Sequence, residues 1–159
     1  MYIEVGISQQ KLQLVDNNGD VIMDTLVSTA RNGPGERVNS ECTPRGAHVV
    51  RARIGEGCPV NTVFRGRRPT GEVFTPPMRA RFPRRDWILT RILWLSGMEA
   101  GVNRLGPVDT MRRYIYIHGA PDNDVMGVPG SHGCIKMSNP DVMTLFDRVE
   151  VGTLVVVKE

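Results

Sequence analysis

Short stretches in which apolar residues recur at every second position constrain the fold of this chain more than any other feature. Residues 3–7 alternate as Ile-Glu-Val-Gly-Ile, which is typical of a strand with one buried face. Segments 11–15 and 21–27 are also predicted to be strands, and the Asn18-Gly19 pair between them readily takes the positive φ of a tight turn. The chain is therefore predicted to open with a β-meander.

Most of the remaining chain is also predicted to be extended, with one helix. Further strands are predicted at about 47–54, 72–75, 87–94, 114–117 and 153–158, whereas 55–70 is predicted to be irregular and 78–85 is ambiguous. The helix starts with Asn139 as N-cap and Pro140 in the first position. Its apolar residues follow a spacing that buries one face, at Val142, Leu145, Phe146 and Val149. We predict a single, mainly β domain over residues 1–159, closed into a β-sandwich or barrel that leaves no exposed strand edges.

Composition limits the classes of function. The net charge of +3 is too small to indicate nucleic-acid binding, and no segment approaches the roughly 20 apolar residues of a membrane helix. No Gly-rich phosphate motif is present, so no cofactor is expected, and no feature indicates an obligate protein partner. If Met1 is the natural start, the absence of a signal peptide predicts a cytoplasmic protein. An odd number of cysteines without framework spacing agrees with that expectation.

Arginines are concentrated between Arg65 and Arg91. A solvated face is the simpler interpretation of this cluster. The alternative is a surface for an anionic substrate or a lipid headgroup.

The chemistry is concentrated around one cysteine. Cys134 lies in the sequence Ser-His-Gly-Cys at 131–134, and His118 follows an apolar strand as part of a His-Gly pair. A thiol attacks carbonyl carbon as thiolate, so it needs a base, and both His118 and His132 are candidates. Gly133 leaves space beside the sulfur, where the N–H groups of Gly133 and Cys134 would form an oxyanion hole. The alternatives are an inert buried thiol and a zinc site formed by the two histidines and the cysteine.

These motifs resemble the signature of the L,D-transpeptidase catalytic domain, the YkuD-type family. The resemblance rests on Ile117-His118-Gly119 and on 131–137, Ser-His-Gly-Cys-Ile-Lys-Met. It extends to a TPxG-like turn at 43–46 and to a closing strand after Gly152. It implies a β-sandwich with the cysteine beside a sheet edge. One departure is Lys136, where the family often has arginine, so the bidentate fork for a carboxylate is lost.

The resemblance also implies roles for individual residues. Cys134 would be the nucleophile and His118 the base, with the imidazole oriented by the carbonyl of Gly119. His132 would shape the oxyanion hole. Three further residues are candidates for contact with substrate: Ser131, which is favoured as a turn former, Lys136, as a carboxylate partner, and Tyr116, in the pocket or the core.

The substrate implied by the resemblance is a murein stem tetrapeptide, cleaved between the L-centre of its diamino acid and the terminal D-Ala. Water as acceptor would make the enzyme an L,D-carboxypeptidase, and an amine acceptor would make it a transpeptidase. Because the expected compartment is the cytoplasm, we favour hydrolysis of free recycled muropeptides, with cross-linking second. A non-catalytic murein-binding module is the remaining alternative.

Overall fold

A computed structural model describes all of residues 1–159. It contains ten strands, two α-helices and a 3₁₀ turn at Gly106–Val108. The strands are β1 (Tyr2–Gly6), β2 (Lys11–Val15), β3 (Val21–Leu26), β4 (Gly46–Ile54), β5 (Thr62–Arg65), β6 (Arg68–Val73), β7 (Ile88–Gly97), β8 (Tyr116–Gly119), β9 (Ile135–Met137) and β10 (Leu154–Lys158). The helices are α1 (Pro76–Arg81) and α2 (Asn139–Arg148).

All strands belong to one branched sheet. Its main path is β3-β2-β1-β10-β4-β7-β5-β6, and β8 joins β7 to β9 off this path. Most neighbours are antiparallel, but β1 with β10 and β8 with β9 run parallel. The predicted mainly β fold is confirmed. The expected closure is not found, because β3 and β6 remain as free edges at the two ends of the path.

The main core lies between the sheet and α2. Nineteen buried apolar side chains form it, and they come from the strands on both sides of β10 and from the helix. The predicted helix face is correct, since Val142, Leu145 and Phe146 are fully buried. Neither α1 nor α2 has the length and apolarity needed to span a membrane.

The prediction that 55–70 is irregular is wrong in its second half. Strands β5 and β6 form a hairpin there, and β5 also pairs with β7. Its two-residue turn, Gly66 and Arg67, has φ of +57° and +64°. The hairpin has little sequence signal because the edge strand β6 is largely exposed and therefore lacks apolar alternation.

Two element boundaries also differ from the predictions. Pro76 and Pro77, read as the stop of an extended segment, instead open α1, where a proline costs no helical hydrogen bond. The N-cap of α2 is Ser138 rather than Asn139, and its hydroxyl accepts a hydrogen bond from Asp141 N–H.

Strand β8 begins two residues later than predicted. Tyr114 has a left-handed φ of +56°, which is incompatible with a continuous strand from that residue.

Candidate active site

The parallel pair β8–β9 brings the two sequence motifs together. His118 on β8 is in register with Lys136 on β9, and Cys134 lies one residue before β9 begins. The sulfur is held by the backbone that leads into β8. Its thiol donates to Tyr114 O at 3.4 Å, and the Tyr116 N–H donates to the sulfur at 3.3 Å.

Cys134 and His118 line one cavity of about 510 Å³, here called the thiol cavity. Its other lining residues include three further predicted site residues, Tyr116, Ser131 and His132. The structure therefore gathers most of the predicted site around a space large enough for part of a peptide.

His118 is oriented by its neighbour. The ring is 1% exposed, and Nδ1 lies 2.6 Å from the carbonyl oxygen of Gly119, the contact expected from the sequence. Because a carbonyl only accepts, the neutral ring carries its proton on Nδ1 and leaves Nε2 as a base. Burial lowers the pKa of His118, partly opposed by the charge of Asp86, so the ring is neutral at neutral pH.

The Cys134 thiol is also neutral at neutral pH. Burial raises the pKa of the Cys134 thiol to about 12, although the Tyr116 N–H and the charges of Arg113 and Lys136 act in the opposite direction. A neutral thiol and a neutral imidazole therefore line the same cavity.

The turn before Cys134 is closed by Ser131. Its hydroxyl accepts a hydrogen bond from Gly133 N–H at 3.1 Å and donates one to Cys134 O at 2.5 Å. The preference for Ser131 as a turn former matches this geometry. The expected oxyanion hole is reduced, because the Gly133 N–H is engaged and only the Cys134 N–H has no acceptor.

Backbone conformation and packing both favour glycine at position 133. Its φ is +132°, and an added Cβ would meet Ile115 Cδ1 at 3.1 Å and Cys42 O at 3.3 Å. Its carbonyl accepts from the fully buried hydroxyl of Thr43 at 2.9 Å. From the sequence, Thr43 is predicted only to form part of a turn, and its contact with Gly133 is not predicted. Its position in the Thr-Pro-Arg-Gly stretch that resembles the family was the one feature that could have indicated this contact.

The other predicted residues differ in their environment. His132 is exposed at the mouth of the thiol cavity. Tyr116 is buried in the cavity wall, and its hydroxyl accepts from Arg67 Nη1 at 3.2 Å. The Lys136 ammonium contacts Asp124 at 2.8 Å, and Arg79 contacts the same carboxylate, so one negative charge faces two positive ones.

Three charged residues that line the thiol cavity were not identified from the sequence: Arg67, Asp86 and Arg113. The guanidinium of Arg67 lies over the rings of Trp94 and Tyr114, 4.7 and 4.8 Å from their centroids. Only the general enrichment in arginine between 65 and 91 indicated the first of them, and long-range folding places Arg113 beside Cys134.

The zinc alternative lacks a suitable arrangement of ligands. No group of three or more His, Cys, Asp or Glu side chains in the structure is arranged to hold a metal ion. His118, His132 and Cys134 therefore share a cavity without forming a ligand cluster.

Comparison with known proteins identifies one family. The family model of the L,D-transpeptidase catalytic domain (YkuD) matches residues 1–157. Probable L,D-transpeptidase YbiS of Escherichia coli K12 is 44% identical over 43 residues, which are 27% of this chain and 14% of that protein.

Solved L,D-transpeptidases share the fold. A mutant of the Enterococcus faecium enzyme superposes with a TM-score of 0.59 at 19% identity, covering 98% of this chain and 48% of that one. L,D-transpeptidase 3 of Mycobacterium tuberculosis gives 0.60 at 17% identity, covering 99% and 60%. The chain thus spans about half the length of these structures. With the family model matched over nearly its whole length, the chain belongs to the L,D-transpeptidase catalytic domain family.

Proposed function

We propose that this chain is a cysteine acyl-transfer enzyme that removes the terminal D-Ala from murein stem tetrapeptides. The observation that carries the proposal is the shared cavity of Cys134 and His118, in which the imidazole is held with Nε2 free to accept a proton. Membership of the L,D-transpeptidase family supports the reaction class.

In the first half-reaction, Cys134 Sγ bonds to the carbonyl carbon at the L-centre of the diamino acid, and His118 Nε2 takes the thiol proton. The developing oxyanion is placed at the free N–H of Cys134. The C–N bond to D-Ala then breaks, and protonated His118 returns the proton to the departing amine. The products are free D-Ala and a thioester on Cys134.

In the second half-reaction, we propose water as the acceptor, which yields a tripeptide and makes the enzyme an L,D-carboxypeptidase. His118 takes a proton from the water as it attacks the thioester and returns one to the leaving thiolate. We place this activity in cytoplasmic murein recycling. All three cysteines are free thiols, which agrees with a reducing compartment.

Transpeptidation is the second candidate, favoured by the names of the relatives, which are called L,D-transpeptidases. In that reaction, an amine of a second stem peptide replaces water and forms a cross-link. A non-catalytic murein-binding module is the third candidate, and the intact Cys134–His118 arrangement weighs against it.

Incubation with a defined tetrapeptide separates these functions. Mass spectrometry of the products, with and without an amine acceptor, is expected to give free D-Ala and tripeptide in both cases. Dimers as the main product would establish transpeptidation instead, and unchanged tetrapeptide would leave only binding. Cell fractionation is expected to place the protein in the cytosol, and a periplasmic location would contradict the recycling role.

A further inference from the structure

A bulge in β7 lies opposite the strand end that carries His118. Leu89 pairs with Gly119 and Ile92 pairs with His118, so the two residues between Leu89 and Ile92 have no partner on β8. Bulges are common beside active sites, where they change the direction of side chains on a sheet. The first residue of this bulge is Thr90.

Thr90 is held in a conformation that its side chain disfavours. Its φ is +73°, in the left-handed region, and the side chain is fully buried. A residue branched at Cβ is rarely found with a positive φ. Such strain persists only where the surrounding contacts fix the residue, and it is frequent at functional sites.

The Thr90 hydroxyl makes two of these fixing contacts. It donates a hydrogen bond to Asn139 Oδ1 at 2.5 Å and accepts one from the Asn61 N–H at 3.0 Å. A valine has the same shape but makes neither hydrogen bond, whereas a serine keeps both. The position therefore depends on a hydroxyl as well as on the bulge.

Gly119 packs directly against this bulge. A Cβ added at Gly119 would lie 3.1 Å from Thr90 Cβ. It would also overlap with Leu89 O, at 2.7 Å, and with Asn139 Oδ1. The carbonyl oxygen of the same glycine lies 2.6 Å from His118 Nδ1, so a shift of Thr90 would move the group that orients the imidazole.

We propose that Thr90 is a positioning residue for the acyl-transfer reaction. The bulge holds the Gly119 carbonyl against His118 Nδ1, which keeps the ring proton on Nδ1 and leaves Nε2 free to take the thiol proton. Without the Thr90 hydroxyl, the bulge would relax and the imidazole would lose its fixed orientation. This inference rests on the proposed role of His118 as base and adds a residue that does not line the thiol cavity.

Two substitutions remove the hydroxyl. Thr90→Val keeps the shape of the side chain, and Thr90→Gly makes the positive φ favourable, so the glycine variant should fold even if the valine variant does not. In both, kcat for D-Ala release should fall at least about tenfold and KM should change less than about threefold, because the base is misplaced while peptide binding is not altered. Thr90→Ser keeps both hydrogen bonds and should retain kcat within about threefold of the wild type.

Thr110→Val is the matched control. Thr110 is also fully buried, and its hydroxyl also has two partners, Asn103 O at 2.9 Å and His48 Nε2 at 3.1 Å. It does not line the thiol cavity, so this variant should lose stability and keep kcat. A loss of kcat in Thr110→Val as large as that in Thr90→Val would show that Thr90 acts only through stability, and would overturn the proposal.

Nuclear magnetic resonance of the His118 ring measures the effect without substrate. In ¹⁵N-labelled wild type the ring should be the tautomer protonated on Nδ1, and in Thr90→Gly it should be a mixture of both tautomers, with His118→Ala protein identifying the signals. This change, with no turnover of tetrapeptide by the wild type, would sustain the positioning of His118 by Thr90 and overturn the proposed function. If the wild type turns over tetrapeptide, an unchanged tautomer or an unchanged kcat in the variants without the hydroxyl would overturn the role of Thr90 alone.

Discussion

At the scale of single residues, the site consists of one sulfur and one ring nitrogen prepared by backbone contacts. Cys134 is held by the backbone of Tyr114 and Tyr116, and His118 by the carbonyl of Gly119. Both side chains are neutral at rest because burial raises the pKa of the thiol and lowers that of the imidazole.

Cys134→Ala is expected to abolish D-Ala release while the thermal unfolding transition stays near that of the wild type, because the substitution removes only one sulfur atom. Release of D-Ala and circular dichroism measure the two effects. Cys58→Ser is the matched control and should retain activity. Turnover by Cys134→Ala at a rate near that of the wild type would contradict a thioester mechanism.

His118→Ala is expected to lower kcat by about 10²-fold or more, the usual contribution of a general base. His132→Ala should cost less, because that side chain is exposed at the cavity mouth. Steady-state kinetics of both variants make the comparison. A severe loss in His132→Ala together with a mild one in His118→Ala would reverse the two assignments.

The pH profile tests the same base. Burial lowers the pKa of His118, so Nε2 stays unprotonated at pH values below the ordinary pKa of a histidine. In a plot of kcat/KM against pH, the midpoint of the acid limb should therefore lie below 6.5, the ordinary pKa of histidine. A limb centred above that value would show that another group acts as the base.

At the scale of elements, Asn139 connects the start of α2 to the site loops. Its side-chain N–H₂ donates to Ala120 O at 2.8 Å and to Asp122 and Asn61 at 3.0 Å, and its oxygen accepts from the Thr90 hydroxyl at 2.5 Å. This network positions the segment that follows β8, and therefore the carbonyl of Gly119 that orients His118.

Asn139→Ala should lower the free energy of unfolding by about 1–3 kcal/mol, because the buried Ala120 carbonyl and the buried Thr90 hydroxyl each lose a hydrogen-bond partner. Urea unfolding measures the change. Thr144→Ala, at an exposed position on the same helix, is the control and should cost little. An Asn139→Ala variant as stable as this control would show that the network is not stabilising.

The sequence predicts those elements whose apolar residues face the core. Ile3, Val5 and the α2 residues Val142 and Leu145 are all fully buried, and their spacing alone indicates strand or helix. The hairpin of β5 and β6 was not predicted, because its turn depends on a positive φ at Arg67. Nothing in the local sequence indicates that conformation for an arginine. Arg113 was not predicted as a site residue, because only the tertiary fold brings it to the cavity of Cys134.

At the scale of the whole molecule, His48 makes stability depend on pH. It is fully buried on β4, with Nδ1 3.0 Å from Gly46 O and Nε2 3.1 Å from the Thr110 hydroxyl. Burial lowers its pKa from 6.5 to about 4. The unfolded chain therefore binds a proton below pH 6.5 that the folded chain excludes until about pH 4.

Stability is thus expected to fall as pH drops from 6.5 to about 4, by about 3 kcal/mol from His48 at 1.36 kcal/mol per pH unit. His118 adds to this loss of stability at low pH, because burial lowers its pKa as well. Urea unfolding at several pH values measures it, and His48→Gln should flatten the dependence. An equally steep loss in His48→Gln would exclude this histidine as its source.

The central claim is that Cys134 carries the acyl group of the tetrapeptide, and rapid-quench mass spectrometry of the protein tests it most directly. The wild type mixed with tetrapeptide and quenched in acid should carry the added mass of a tripeptide acyl group, located on Cys134 by peptide mapping. The amount of free D-Ala should equal the sum of acylated protein and released tripeptide. Turnover without any adduct on Cys134, or an adduct on another residue, would contradict the account.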